Sequence, residues 1–159
     1  MLDYPFADRL YPRALDAVEY LNTVGPTVVL SDGDVVFQPR KVQRSAIWDA
    51  VRGRVLICVH KEQALDAMRR RYPARHYVMI DDKRNLLAAM KRVLGETLTT
   101  AFVHQGHYAT QVAAPSAGTQ VDPPPDLEIE RIGDVLDLDR SDFLAASRAG
   151  VTATKQERT

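Results

Sequence analysis

The chain has 159 residues, 45% of them hydrophobic and 26% charged, with Lys+Arg and Asp+Glu both at 21. That size and composition fit one core-forming domain with an appended tail, and the zero net charge argues against a broad electrostatic hold on nucleic acid or an anionic membrane. No apolar run approaches the roughly 20 residues of a spanning helix and no signal-peptide pattern opens the chain, so the expectation is a cytoplasmic protein with no nucleic-acid or membrane partner.

Residues 1–11 read as an extended lead-in. Pro12 suits the first turn of a helix, where its missing N–H costs nothing; Leu15, Val18 and Leu21 follow at helical spacing, and Gly25-Pro26 stops the helix. TVVL (27–30) is short, β-branched and apolar, as a strand buried on both faces should be, and it runs into Ser31. SDGD is a turn, and the spacing of Val42, Ile47 and Val51 predicts a helix over about 39–52, with Trp48 packed along it. VLICV (55–59) is the second strand. It contains Cys58, the single cysteine, which excludes an intrachain disulfide and reads as a small buried hydrophobe. A helix over about 62–72 turns Leu65 and Met68 inward and ends before Pro73, and Arg69-Arg70-Arg71 reads as its solvated end.

HYVMI (76–80) is the third strand. The next helix shows a stripe of Leu86, Leu87, Met90, Val93 and Leu94, capped by Gly95, and TLTTAFV (97–103) is the fourth strand. Strands and helices that alternate with short connections predict an α/β fold, a three-layer Rossmann-like arrangement of a mainly parallel sheet with helices on both faces. After the core (1–109), residues 110–126 hold AAPSAG and three successive prolines and read as a Pro/Ala-rich linker. LEIERI supplies an edge strand and GDVLDL a short helical turn within 127–147, and 148–159 is a tail that frays.

Three strands end on the residue types of a phosphoryl-transfer site: Ser31, Lys61 and the pair Asp81-Asp82. Ligands of open parallel sheets sit beyond the carboxyl ends of the strands. Adjacent carboxylates repel, and a divalent cation relieves that; Mg²⁺ takes one or two carboxylates, keeps some waters and binds phosphate. The plainer reading is an N-cap aspartate with a neighbour paired to Lys83 or Arg84. Lys61 follows a strand and leads a helix, where a bound anion would offset the dipole's repulsion; the plainer reading is a surface lysine. Ser31 is a turn cap or a donor to a phosphate oxygen. His104 and His107 form HxxH in a loop, a weak metal signal that reads better as two histidines lining a crevice, and His60 is a cleft or turn residue.

In this order the segments resemble the haloacid dehalogenase-like superfamily of hydrolases, mostly Mg²⁺-dependent phosphatases, over roughly residues 10–108. VVLSDGD looks like the family's second motif, whose strand-end Ser or Thr binds the phosphoryl group, here Ser31. VHKEQ looks like the third, whose lysine steadies nucleophile and phosphate, here Lys61. YVMIDDK looks like the fourth, whose acidic pair completes the Mg²⁺ site, here Asp81 and Asp82. FADRLYPRALDAVEYL resembles the segment that enters the core from a helical cap, and the stretch from VVLSDGDVVFQPRK through FVHQGHYA is similar to one subgroup of the family.

Family members begin with a strand ending DxD, which supplies the nucleophile and the general acid/base. No such strand precedes Ser31, so the resemblance implies an N-terminally shortened member of low or no activity by itself. A rival alignment takes VVLSDGDVV as the DxD strand, with Asp32 the nucleophile and Asp34 the acid/base. It leaves no Ser or Thr at the end of VLICV and only about twenty residues before the next strand, fewer than the family's usual flap and helix. The resemblance implies a phosphorylated small molecule as substrate and Mg²⁺ as cofactor. A non-catalytic interaction module, possible as a homodimer, is the competing expectation.

Overall fold

The computed structural model describes residues 10–32, 46–58, 64–106 and 121–149, and the chain divides into two compact units, 1–73 and 74–159. In the first unit, helix α1 (Ala14–Val24) starts after a turn at Pro12-Arg13 rather than on the proline itself, and ends where the Gly25 N–H donates to the Leu21 carbonyl. Strand β1 (Val29–Asp32) pairs in parallel with β2 (Val55–Cys58), Val29 against Val55 and Asp32 against Cys58. The first strand thus lies two residues beyond TVVL and takes in Ser31 and Asp32. Between the strands, α2 (Ala46–Ala50) covers the later part of the helix expected over 39–52; residues 39–45 lie outside the described ones.

Asn22 ties α1 to both strand entries. Its amide donates to the Ala50 carbonyl at 2.7 Å, while its Oδ1 accepts the Thr27 N–H at 3.2 Å and Arg54 Nη2 at 2.6 Å. Arg54 Nε also donates to the Thr27 carbonyl at 2.9 Å. A short polar side chain at the helix end thereby satisfies backbone groups that no strand ladder reaches. Helix α3 (Ala64–Arg71) buries Ala64 and Leu65 and leaves Arg69, Arg70 and Arg71 exposed in its last turn, where the helix dipole favours cations.

The second unit is built on a parallel sheet in the order β3-β4-β5, from β3 (Tyr77–Asp81), β4 (Leu98–Val103) and β5 (Leu127–Ile129). All six residues of β4 are buried. Alternate side chains of a strand leave on opposite faces, so full burial requires cover on both. Helix α4 (Arg84–Leu94) packs on β3 and β4, and α5 (Arg140–Ala149) packs on β4. The edge strand expected in LEIERI is the three residues of β5, GDVLDL falls in a 3₁₀ turn over Ile132–Asp137, and a ten-residue helix follows it. Along α4, Leu87, Ala88, Met90 and Leu94 are buried, while Val93 is 61% exposed, so the apolar stripe is narrower than its sequence suggests.

Two threonines in β4 hold the layers together. Thr99 Oγ1 donates to the Phe143 carbonyl of α5 at 2.6 Å. Since its one proton is committed there, His76 Nε2, at 2.7 Å, must be the donor in that second contact. Burial first, then the charge of Lys91, holds the His76 imidazole below its ordinary pKa. Thr100 faces Asp126, whose Oδ2 accepts the Thr100 N–H at 2.8 Å, the Thr100 hydroxyl at 3.1 Å and Lys91 Nζ at 2.9 Å; the Asp126 N–H returns a bond to Thr100 Oγ1 at 3.0 Å. Lys91 Nζ also donates to the Leu98 carbonyl at 2.6 Å. Asp126 is only 3% exposed. Burial of an unpaired carboxylate is costly, so this site exists only with its partners in place. Asp126→Ala leaves Lys91 without its carboxylate, and a loss of about 3–5 kcal/mol is expected in urea unfolding, with Asp126→Asn milder. A loss as small as that of an exposed bridge would mean the site is not dry.

Candidate active site

The structure places the candidate residues on the two units separately. In the first, Ser31 is half-buried within β1 opposite Ile57, and Asp32 ends that strand opposite Cys58. Asp34, His60, Lys61 and His107 lie outside the described residues. In the second, Asp81 ends β3 and Asp82 follows it, both half-buried. Asp81 Oδ1 accepts the Lys83 N–H at 2.9 Å, a side-chain turn that leads the backbone into α4. The Asp82 carboxylate lies against Gly106, beyond the end of β4.

Asp81, Phe102 and Glu128 are register partners across β3, β4 and β5, so they occupy one face at the carboxyl end of the sheet. The Arg84 guanidinium sits 3.9 Å from the Phe102 ring centroid and grips Glu128 with two bonds of 2.8 Å. This fork-on-fork pairing is the strong form of a charge-assisted bond. His104 stands edge-on to Phe102 with centroids 4.8 Å apart, and its Nε2 is 2.8 Å from Glu128 Oε2. Because an ionised carboxylate only accepts, that Nε2 carries a proton. The chain after β4 is fixed as well: the His104 N–H donates to the Ile129 carbonyl at 2.9 Å, and the Ile132 N–H donates to Gln105 Oε1 at 2.8 Å.

The sequence pattern singled out Asp81, Asp82 and His104 but not Glu128 or Gly106. Alternation in LEIERI hinted only that Glu128 leaves a strand on the side opposite Leu127 and Ile129. Its partners, 24 and 44 residues away, have no local signature. As a donor set, two adjacent carboxylates suit a hard cation such as Mg²⁺. Among the described residues no group of three or more His, Cys, Asp or Glu side chains gathers to hold a metal, so the acidic pair fits as part of a cation site that water, substrate or further residues would complete.

The bonds from Arg84 hold the Glu128 carboxyl below the ordinary glutamate value of 4.5, against the opposing effect of burial and with help from His104. A carboxyl depressed in the folded state contributes stability above its unfolded pKa, and that stability is lost as pH falls through the folded one. Unfolding free energy of the wild type is therefore expected to drop more steeply below pH 4.5 than that of Glu128→Gln, measured by denaturant titration at a series of pH values. Parallel curves for the two proteins would count against the clamp.

No protein-family model matches the chain, and no curated protein does. Among solved structures, a Burkholderia xenovorans protein assigned as a haloacid dehalogenase-like hydrolase is 56% identical, with a TM-score of 0.80 over 89% of this chain. This chain spans 63% of that neighbour's length. Parallel strands alternating with helices, together with this identity, show that the chain belongs to the haloacid dehalogenase-like superfamily and carries its three-layer, Rossmann-like α/β fold.

Proposed function

We propose that this chain carries the anion- and cation-binding portion of a phosphatase-type site, acting on a phosphorylated small molecule with Mg²⁺, and that alone it turns such esters over little or not at all. The observation that carries the reading is the pair Asp81-Asp82 at the carboxyl end of β3, in a chain 56% identical to a protein assigned as a haloacid dehalogenase-like hydrolase. In this reading the Asp81 and Asp82 carboxylates hold the cation, the Ser31 hydroxyl donates to a phosphoryl oxygen, and the Lys61 ammonium offsets the remaining negative charge. Mg²⁺, when bound, supplies the charge neutralisation that lets a phosphate dianion rest beside carboxylates.

A second reading makes Asp32 the nucleophile and Asp34 the acid/base. It is favoured by β1 reaching to Asp32, which puts that residue at a strand's carboxyl end. Attack by Asp32 would form an aspartyl-phosphate as the ester oxygen leaves with a proton from Asp34, and water would then release phosphate.

A metal titration tests the acidic pair, and a hydrolysis assay separates the two readings. Titration calorimetry with Mg²⁺ is expected to show binding that falls by more than about tenfold in Asp81→Asn and in Asp82→Asn. Hydrolysis of p-nitrophenyl phosphate with Mg²⁺ is expected to stay at the level of the uncatalysed control. Brisk turnover that Asp32→Asn abolishes would replace the first reading with the second. Binding indifferent to both asparagine substitutions would remove the acidic pair from the site.

A further inference from the structure

A Cβ at position 106 would overlap Asp82 Oδ2 and stand 3.1 Å from its Cγ. Gly106 also has φ +105, a conformation that side-chain-bearing residues rarely adopt. The backbone conformation selects glycine here, and an added Cβ would in addition push the Asp82 carboxylate aside. The same short segment is anchored from its other side. His104 is tied through its N–H to Ile129 and through its ring to Glu128, which Arg84 grips in turn, while Gln105 accepts the Ile132 N–H. Residues 128–132 therefore brace the segment 104–106, whose Gly106 lies against an acidic side chain next to the end of β3.

We propose that His104–Gln105–Gly106 is a positioning device for the cation site, fixing the carboxylate of Asp82 beside Asp81, so that the segment 128–132 sets cation affinity and selectivity without touching the cation. The inference rests on the reading of Asp81 and Asp82 as cation ligands. A carboxylate has little to restrict its rotation about the Cα–Cβ bond unless something packs on it. Gly106 lets the chain pass beside that carboxylate, where an added Cβ would displace it. Orientation matters most for Mg²⁺, which demands near-ideal octahedral geometry and dehydrates reluctantly, whereas Ca²⁺ accepts six to eight oxygens in flexible arrangements. A held Asp82 accordingly favours the smaller ion, and a loosened one forfeits that preference.

The test is calorimetric titration of the full chain with Mg²⁺ and, separately, Ca²⁺, in the wild type, Gly106→Ala, Gln105→Ala and Asp82→Asn. Gly106→Ala is expected to weaken Mg²⁺ binding roughly 10–100-fold, the range for lost support of a metal ligand, and Ca²⁺ binding much less. Gln105→Ala keeps the glycine and removes only the acceptor for the Ile132 N–H. It is expected to shift the Mg²⁺/Ca²⁺ affinity ratio the same way, with a thermal midpoint close to that of the wild type. A folded Gly106→Ala that keeps full Mg²⁺ affinity, or loses both ions equally, overturns the proposal. Should Gly106→Ala not fold, Gln105→Ala decides, and an unchanged ratio overturns it. If the wild type binds no better than Asp82→Asn, the acidic pair is not a ligand set, and the cation-site reading falls together with this proposal. If Asp82→Asn abolishes binding and Gly106→Ala does not, only the role of the loop is lost.

Discussion

The second unit depends on one buried carboxylate. Strand β4 ends at Val103 and its parallel neighbour β5 begins at Leu127, so nothing local fixes where the returning chain pairs. Asp126, one residue before β5, supplies that information. Its carboxylate reaches the Thr100 amide and hydroxyl on β4 and the Lys91 ammonium on α4, and its N–H answers to the same hydroxyl. A slip of one residue would turn every β5 side chain to the other face and strand a charge in the interior. Conformational freedom lost by the connection is thus recovered only in one register. In that register Leu127 lies opposite Ala101 and Glu128 opposite Phe102.

The arrangement at the sheet's carboxyl end follows from that register. With Glu128 beside Phe102, Arg84 can stack on the ring and pair with the carboxylate at once, and His104 can reach the second oxygen. The ladder then continues far enough for the His104 N–H to find Ile129 and for Gln105 to meet Ile132. Each contact is modest, because Arg84 and Glu128 keep about a quarter of their side-chain surface in water. Their value is geometric: they fix the path of the chain after β4, and with it the glycine that meets Asp82.

Much of this fold is legible in the amino-acid sequence because its strands are short, β-branched and punctuated. TVVL, VLICV, HYVMI and TLTTAFV each yield a strand to within two residues, Val59 lying outside the described residues, and the order of elements follows. The misread positions have physical reasons. Val93 belongs to an apolar run, yet at 3.6 residues per turn it lies about 120° around the helix from Leu87, outside the arc that Leu87, Ala88, Met90 and Leu94 bury. Lys91 falls inside that arc, where a charged residue is not expected, because its partner lies 35 residues later. Asp126 follows three prolines and reads as linker, but the burial of Pro125 and Asp126 belongs to the sheet they enter. Glu128 and Gly106 escape notice for a related reason. One acquires its role from pairing register and the other from close approach, and neither leaves a periodic trace. Asp81 and Asp82 stand out because position at a strand's end is itself visible in the chain.

The two ends of the β3-β4-β5 sheet divide their work. Toward the amino ends, polar groups are buried or half-buried and committed: His76 to Thr99, Thr99 to α5, Lys91 to the Leu98 carbonyl and to Asp126. Among the described residues no buried side-chain nitrogen or oxygen lacks a partner, as a packed interior requires. Toward the carboxyl ends the charges are only partly covered, and they crowd: Asp81, Asp82, Arg84, His104 and Glu128 come from three strand ends and one helix start. Such crowding would be a liability in a region built for stability, since like charges repel and each desolvated carboxylate needs compensation. It is tolerable where a ligand completes the balance, and parallel α/β sheets offer that opportunity at this end because every strand there opens into a loop. The buried carboxylate at one level of the sheet and the half-open carboxylates at the other are therefore coupled. Rigid commitment of Asp126 sets the register, and the register decides how closely the loop after β4 can approach the acidic pair.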